Sequence, residues 1–484
     1  MSCPLFYFRI PFTVLLFIFT FSVIRDSLAG NQTVETNRPD QAEYVIIRNI
    51  IIEGNKQTRP NVITRELRFT DNDTIPLNRI HDILTASKEN VFNTKLFNVV
   101  TFDTTFIGNS LVDVTISVIE RWYIWPIPYF EISDRNFNAW WETKDFSRLT
   151  YGIDLTFSNV RGRNETMKIM THFGFNQKYG FTYTIPYLNR KQTIGIGFGA
   201  DVELNHEVGV KTVGNEVVYY KEASELPKQL IYAYTEMIYR PNIYAHHTFR
   251  IAYNQYYFRD TVLRIPGFSL SGSNSQIFGS LYYQFKNDHR DIQYYPLTGF
   301  YFDLEFMHCF PYAYAHNTYL KVNARKYWQI YNRWYFASGL TMKISLEKEQ
   351  PYYLSQGLGF GREFVRGYEY YVVDGQHFLL WKNNFKFAII PQRLIKLGFL
   401  KSSKFNTVPL ALYVNVFSDL GYVYHYTTET DELTNPENSL QNSLLLGYGT
   451  GLDFTTYYDI VIRCEFSMNL FGKPGFYLHF IAPI

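Results

Sequence analysis

Cysteine is nearly absent from this chain, and so are long hydrophobic runs and any marked excess of one charge. Of its three cysteines, Cys3, Cys309 and Cys464, none has a Cys-x-x-Cys partner or a histidine at metal-ligand spacing, which argues against metal or redox roles for them. Past the N-terminus no apolar run reaches the about eighteen residues of a membrane helix. A formal net charge of +2 without a clustered basic patch leaves no electrostatic footprint for nucleic acid. Catalytic motifs are missing as well. There is no Gly-x-Ser-x-Gly elbow and no His-Glu-x-x-His helix, and the glycines of "GIGFGAD" and "GLGFGRE" complete no dinucleotide fingerprint. The adjacent His246 and His247 would point to opposite faces of a strand and share no site. The expectation is therefore a protein without catalytic residues, cofactor or metal: not an enzyme.

Aromatic residues, by contrast, make up 19% of the 484 residues, with 41 Tyr and 42 Phe. The first 29 residues read as a signal peptide: Arg9, the apolar stretch Ile10–Ile24, and Ser27-Leu28-Ala29 at the cleavage position. A membrane anchor is the alternative. Cys3 lies too early to be lipidated and would leave with the signal. Residues 30–43 are polar and are expected to form a flexible leader.

A small α+β module is predicted over residues 44–121. "YVIIRNIIIEGN" is a β-branched strand closed by Gly-Asn. Pro60 opens a first helix with Ile63 and Leu67 a turn apart. A second helix follows Asn78, with Ile80, Ile83, Leu84, Ser87 and Val91 on one face. Strands Val99–Phe106 and Leu111–Ile119 complete a β-α-α-β-β order.

From residue 122 to 484 the dominant period is two. In "GFYFDLEFMHCF" Phe300, Phe302, Leu304 and Phe306 oppose Asp303 and Glu305; in "DIVIRCEFSM" Ile460, Ile462, Cys464 and Phe466 oppose Asp459, Arg463 and Glu465. Long alternating segments with charges of both signs on one face fit transmembrane strands, with lipid outside and a wet lumen inside. That pattern, with aromatic girdles, reconciles a membrane protein with a mean hydropathy of −0.18. The fold class expected is mainly β: an antiparallel transmembrane β-barrel of about sixteen strands. The strands are expected to begin near Ile124, Leu149, Thr166, Gly180, Thr193, Gln229, Ile243, Gln276, Gly299, Asn317, Arg333, Gln376, Val408, Asn442, Asp459 and Gly475. Pro126 and Pro128 fall in the first of these, or in a linker before it. With a periplasmic N-terminal module, "GREFVRGYEYYVVDG" (361–375) lies on an extracellular loop, and "NVRGRNE" and "DHRDIQYYPLTG" lie on periplasmic turns.

Several motifs carry a family resemblance. "EGN", "TRELRF" and "KLFNVV" resemble a POTRA domain, a periplasmic polypeptide-binding module. "VRGY" (Val365, Arg366, Gly367, Tyr368), the turn Asp288, Arg290, Asp291, Pro296, Gly299, the strand motif Phe417, Asp419, Gly421, and Gly449 with Gly451 are similar to signatures of BamA/TamA-like outer-membrane assembly proteins. The resemblance implies that the loop bearing Arg366 folds into the lumen. Strand alternation independently turns Asp419 inward beside Tyr413 and Asn415, so an Arg366–Asp419 contact is expected, with Gly367 letting the backbone pass. Asp288 and Arg290 are expected to organise a turn at the barrel rim. The ending "HFIAPI" departs from the aromatic terminus common in this family, and a single POTRA unit suggests an accessory or specialised relative.

The function implied is to bind polypeptide through a periplasmic POTRA domain and assist its insertion into, or translocation across, the bacterial outer membrane. The alternative is a passive porin-like channel. Expected partners are unfolded outer-membrane or secreted polypeptides, outer-membrane lipids, and accessory periplasmic or lipoprotein subunits, with no nucleic acid.

Overall fold

The computed structural model describes residues 43–484 apart from 109, 133–147, 223, 312–314, 316, 427–437 and 481–483. The expected signal peptide, and all but the last residue of the expected leader, lie outside the described residues. Residues Tyr44–Ile484 form one compact unit.

The N-terminal module is a four-stranded sheet of β1 (Tyr44–Glu53), β2 (Thr74–Pro76), β3 (Phe97–Ile107) and β4 (Leu111–Glu120), in the order β2-β1-β4-β3. Helices α1 (Pro60–Thr64) and α2 (Ile80–Asn93) cover one face. The alternation of β4 determines which face that is. Val112, Val114, Ile116 and Val118 are buried against Ile63, Val91 and Phe97, while Asp113 on the other face accepts from Arg48 Nε at 2.8 Å. Two details differ from expectation. The first helix stops at Thr64, so Leu67 packs from a loop. The three-residue β2 also adds an antiparallel partner to the start of β1.

The rest of the chain forms one sixteen-stranded antiparallel sheet. Its strands are β5 (Ile124–Ile132), β6 (Leu149–Val160), β7 (Glu165–Gly174), β8 (Gln177–Ile185), β9 (Ile194–Asn205), β12 (Lys228–Tyr239), β13 (Ala245–Phe258) and β14 (Ser275–Asp288), then β15 (Gly299–Phe310), β16 (Thr318–Tyr331), β17 (Trp334–Ser345), β18 (His377–Lys396), β19 (Thr407–Tyr424), β20 (Leu444–Thr455), β21 (Val461–Asn469) and β22 (Pro474–His479). Between β9 and β12 stands a separate hairpin of β10 (Glu207–Val213) and β11 (Glu216–Lys221). Described α-helices in this region are single turns, α3 (Asp260–Leu263) and α4 (Ser403–Asn406), beside a 3-10 turn at Tyr457–Asp459, and no described helix is long and apolar enough to cross a membrane.

The two faces of the sheet invert the pattern of a water-soluble protein. On β21, Arg463, Glu465, Ser467 and Asn469 are buried while Phe466 is exposed; on β19, Asn415 and Asp419 are buried while Val416 is 59% exposed. Apolar side chains also face outward on β13 (Phe249, Ile251) and β18 (Leu379, Phe385). A surface this apolar needs lipid against it, and an interior this polar fits a lumen.

The sheet's two edges are β5 and β22, and no ladder joins them among the described residues. The sheet nevertheless comes round on itself: Trp125 of β5 packs edge-on against Tyr458, just before β21, with ring centroids 4.6 Å apart. Pro126 and Pro128 lie inside β5, in register with Leu155 and Ile153 of β6, not in a linker. Two residues apart, their missing donors point the same way, and the unbroken ladder to β6 puts that side at the free edge.

The N-terminal module is clamped to one end of the barrel. Glu66 accepts both ends of the Arg240 guanidinium, at 2.6 and 2.7 Å. Arg121 forks onto Asp459 at 2.8 Å through each nitrogen. Arg59 N donates to Gly162 O at 2.9 Å. Asn93 of α2 donates to Asp291 O at 2.9 Å and accepts from Gln293 N at 3.0 Å. The turns 161–164, 289–298 and 457–460 therefore lie at the module's end of the barrel. The loop between β17 and β18, which carries Arg366, leaves from the opposite end.

Candidate functional site

The loop following β17 enters the barrel and lies on the inner face of β18–β21. Arg366 at its tip is fully buried, as is Asp419 on β19. Nε of Arg366 donates to Asp419 Oδ2 at 2.8 Å and Nη2 to Oδ1 at 2.6 Å, a bidentate charge-assisted pair. Its Nη1 lies 3.4 Å from Glu465 Oε1, and Nη2 also donates to Asn383 O at 3.3 Å. Phe417, two residues before Asp419 and so on the same face, puts its ring 3.8 Å beneath the guanidinium carbon. The buried cation thus has two carboxylates, a carbonyl and an aromatic face, which together offset its desolvation.

Backbone geometry explains the neighbours of Arg366. Gly367 has φ +92°, a left-handed conformation that a side chain would strain, and its carbonyl accepts from Asn469 Nδ2 at 2.9 Å. Gly447 on β20 faces the loop so closely that a Cβ there would stand 1.7 Å from Arg366 O. Val365 packs over Gly421 within an apolar cluster with Tyr368, Leu358, Leu380 and Leu445. The Tyr368 hydroxyl accepts from Leu470 N at 3.3 Å. The structure therefore brings Val365, Arg366, Gly367, Tyr368, Phe417, Asp419 and Gly421 into one site. Nothing in the local sequence singles out Glu465 and Gly447 as members of that site.

The turn residues form a second site at the module's end. Arg290 forks onto Asp288 at 2.8 and 2.7 Å and lies over the Tyr301 ring. Asp291 accepts from Leu297 N at 3.1 Å, Pro296 is buried, and Gly299 has φ +99° where a Cβ would meet His289 O. This turn also reaches inward. Tyr295 is buried and donates to Asp453 Oδ2 at 2.7 Å; it stacks on Tyr413 at 4.7 Å and receives the Lys386 ammonium 4.2 Å over its ring. Two inward segments, one from each end, thus rest on the same wall of β18–β21. His246 and His247 do face opposite ways: His246 lines a lumen cavity, and His247 packs on the outside against Phe285.

Comparison with known proteins agrees with this architecture. The profile of the Omp85 superfamily domain matches residues 159–456, and that of the POTRA family, described as a surface antigen variable number repeat, matches 45–121. No curated protein sequence matches significantly. Among solved structures, CdiB from Escherichia coli is 11% identical, with 90% of this chain and 74% of that chain covered and a TM-score of 0.50. BamA from Haemophilus ducreyi lacking POTRA domains 1–3 is 14% identical, with 90% and 83% covered and a TM-score of 0.49. At 11% identity the likeness to CdiB speaks to the fold alone. The superfamily match supports a role in outer-membrane protein insertion or translocation, and nothing supports the porin alternative. With more than half its length matched by the superfamily profile, preceded by a POTRA module, the chain belongs to the Omp85 superfamily.

Proposed function

We propose that the protein resides in the bacterial outer membrane with its POTRA domain in the periplasm, and that it receives unfolded polypeptide there and passes it to the barrel for insertion or translocation. The observation that carries this reading is the occupied lumen. A passive pore needs an open water path, whereas here the Arg366 loop and the Tyr295 turn rest on one inner wall from opposite ends. A barrel with two segments folded into its lumen and a seam that no described ladder closes suits a machine that opens for a client.

The POTRA sheet ends in β3, whose outer edge has no partner strand among the described residues and whose residues Asp103–Phe106 are exposed. An extended chain can add there as a further strand through backbone hydrogen bonds, with little regard to its sequence. The seam between β5 and β22 offers the next edge, and the two prolines of β5 keep that edge from sealing completely. Burial of the client's apolar strands in lipid supplies the driving force, so no catalytic group or cofactor is called for. Accessory periplasmic or lipoprotein subunits, the lipids at the seam, and the Arg366 loop acting as a releasable lock belong to the same proposal.

The test is photo-crosslinking from positions 104 and 106 on β3 and 127 and 130 on β5 to an arrested, unfolded barrel client. The proposal expects adducts at both edges. Crosslinks confined to outward positions on β13, or none above background, would refute it.

A further inference from the structure

We propose that Glu369, Glu465 and His479 form a zinc site joining the lock loop to the last two strands. The three side chains come from the loop beyond Arg366, from β21 and from the end of β22, and their ligand atoms all lie within 4.8 Å of one another. His479 Nε2 stands 3.5 Å from Glu465 Oε2 and 3.7 Å from Glu369 Oε1. Both separations exceed a direct N–H···O contact, which spans about 2.7–3.2 Å. They match instead the edge of a tetrahedron around a metal whose bonds are about 2.1 Å, which is about 3.4 Å.

Independent observations point to a ligand. Glu369 Oε1 and His479 Nε2 are both buried and have no hydrogen-bond partner among the described residues. The Glu369 side chain is only 10% exposed, and its other oxygen is held by Gly367 N at 2.8 Å, which fixes the carboxylate with Oε1 directed at the imidazole. Phe364 stacks on the imidazole with centroids 5.5 Å apart and holds the ring in this orientation. Orphaned buried polar atoms are costly, so a pair of them aimed at one point calls for an occupant.

Asp419 and Glu465 are offset by Arg366 and Arg463, with Arg463 Nη2 donating to Glu465 Oε2 at 2.7 Å. Glu369 and the Lys382 ammonium, which lies 4.4 Å over the Phe364 ring, are the third carboxylate and the third cation of the cluster, so a bound ion adds its charge to a balanced set of groups. One imidazole with two carboxylates is a borderline donor set that suits Zn²⁺ and is foreign to Mg²⁺ and Ca²⁺, which take oxygen alone. Lumen water would supply the fourth ligand. Glu369 follows Arg366 closely on the loop and His479 ends the last strand, so a bound ion would tie the plug to the seam strand. The site stands whether or not the barrel handles polypeptide.

The experiment uses the mature chain in detergent micelles, with any affinity tag removed and metal stripped by chelation. Zinc is titrated in competition with a chromophoric chelator, and bound metal is counted by mass spectrometry. The expected result is one zinc per chain, weakened about tenfold or more by Glu369→Gln and by His479→Ala and unchanged by His246→Ala. Glu369→Gln removes no strand residue, and heat-modifiable electrophoretic mobility shows whether each variant is folded. X-ray absorption on the wild-type protein, which needs no variant, is expected to show a single imidazole in a shell of oxygens. Less than one zinc per chain at micromolar metal, an affinity that Glu369→Gln leaves unchanged, or an absorption shell without imidazole would overturn the proposal.

Discussion

Replacing Arg366 with alanine removes every contact of the buried guanidinium. Among the described residues Asp419 would then keep one hydrogen-bond donor, the loop's own Arg366 N at 3.2 Å, whereas Glu465 would retain Arg463 at 2.7 Å. The stranded charge is thus Asp419, fully buried on β19. Breaking such a pair from one side costs about 3–5 kcal/mol, less where lumen water reaches the carboxylate. At about 1.4 kcal/mol per decade this shifts the balance between docked and released loop by two to four orders of magnitude. Arg366→Lys retains charge but not the fork, and should fall between wild type and alanine. The assay is hydrogen exchange across residues 358–373 in the folded barrel, with a double-mutant cycle against Asp419→Ala. The alanine variant should lose protection in the loop while β18–β20 keep theirs, and the cycle should show coupling of more than about 1 kcal/mol. Unchanged loop protection in Arg366→Ala, or coupling near zero, would refute the reasoning.

Three further outcomes follow from the same contacts. Gly447→Ala places a methyl group against Arg366 O, and overpacking of this kind costs about 1–3 kcal/mol or more; the loop should become protease-sensitive although no charge has changed. Glu66→Ala leaves Arg240 with the Tyr187 hydroxyl and the Ile243 carbonyl as its side-chain partners among the described residues, so spin-label distances between POTRA and barrel should broaden while the barrel stays folded. Burial, and then the Asp291 carboxylate, push Glu89 on α2 up to about 7. A raised carboxylate favours docking when protonated, a contribution present at low pH and lost as pH rises through about 7. POTRA docking should therefore loosen as the pH rises from about 4.5 to about 7 and level off above that, and Glu89→Gln should flatten that dependence.

Much of this architecture is legible in the sequence because a barrel strand repeats a two-residue signal over its whole length. The expected strand starts fall close to the observed ones, with Gly180 against Gln177 the widest gap. Asp419 could be turned inward from its neighbours alone, because Leu412, Val414 and Val416 occupy the opposite face. The hairpin β10–β11, absent from the expected strands, carries a signal of its own: Gly214 and Asn215 both have positive φ, and a Gly-Asn pair between β-branched runs is a hairpin signal. The short β2 carries too few residues to show a period. Glu465, Gly447 and the inward-reaching Tyr295 could not be read in this way. Each acquires its role from a segment distant in sequence that arrives only once the sheet has curled, and local pattern holds no record of that meeting. The same is true of Glu66, visible in "TRELRF" without any hint that Arg240 lies opposite.

The most direct test of the whole account is reconstitution of the purified protein into liposomes and addition of a urea-unfolded outer-membrane barrel client. Client that becomes protease-protected, in the bilayer or inside the vesicle, should accumulate faster than in protein-free liposomes, with little steady ion conductance through the plugged lumen. An open-pore conductance with no acceleration of client protection would contradict it.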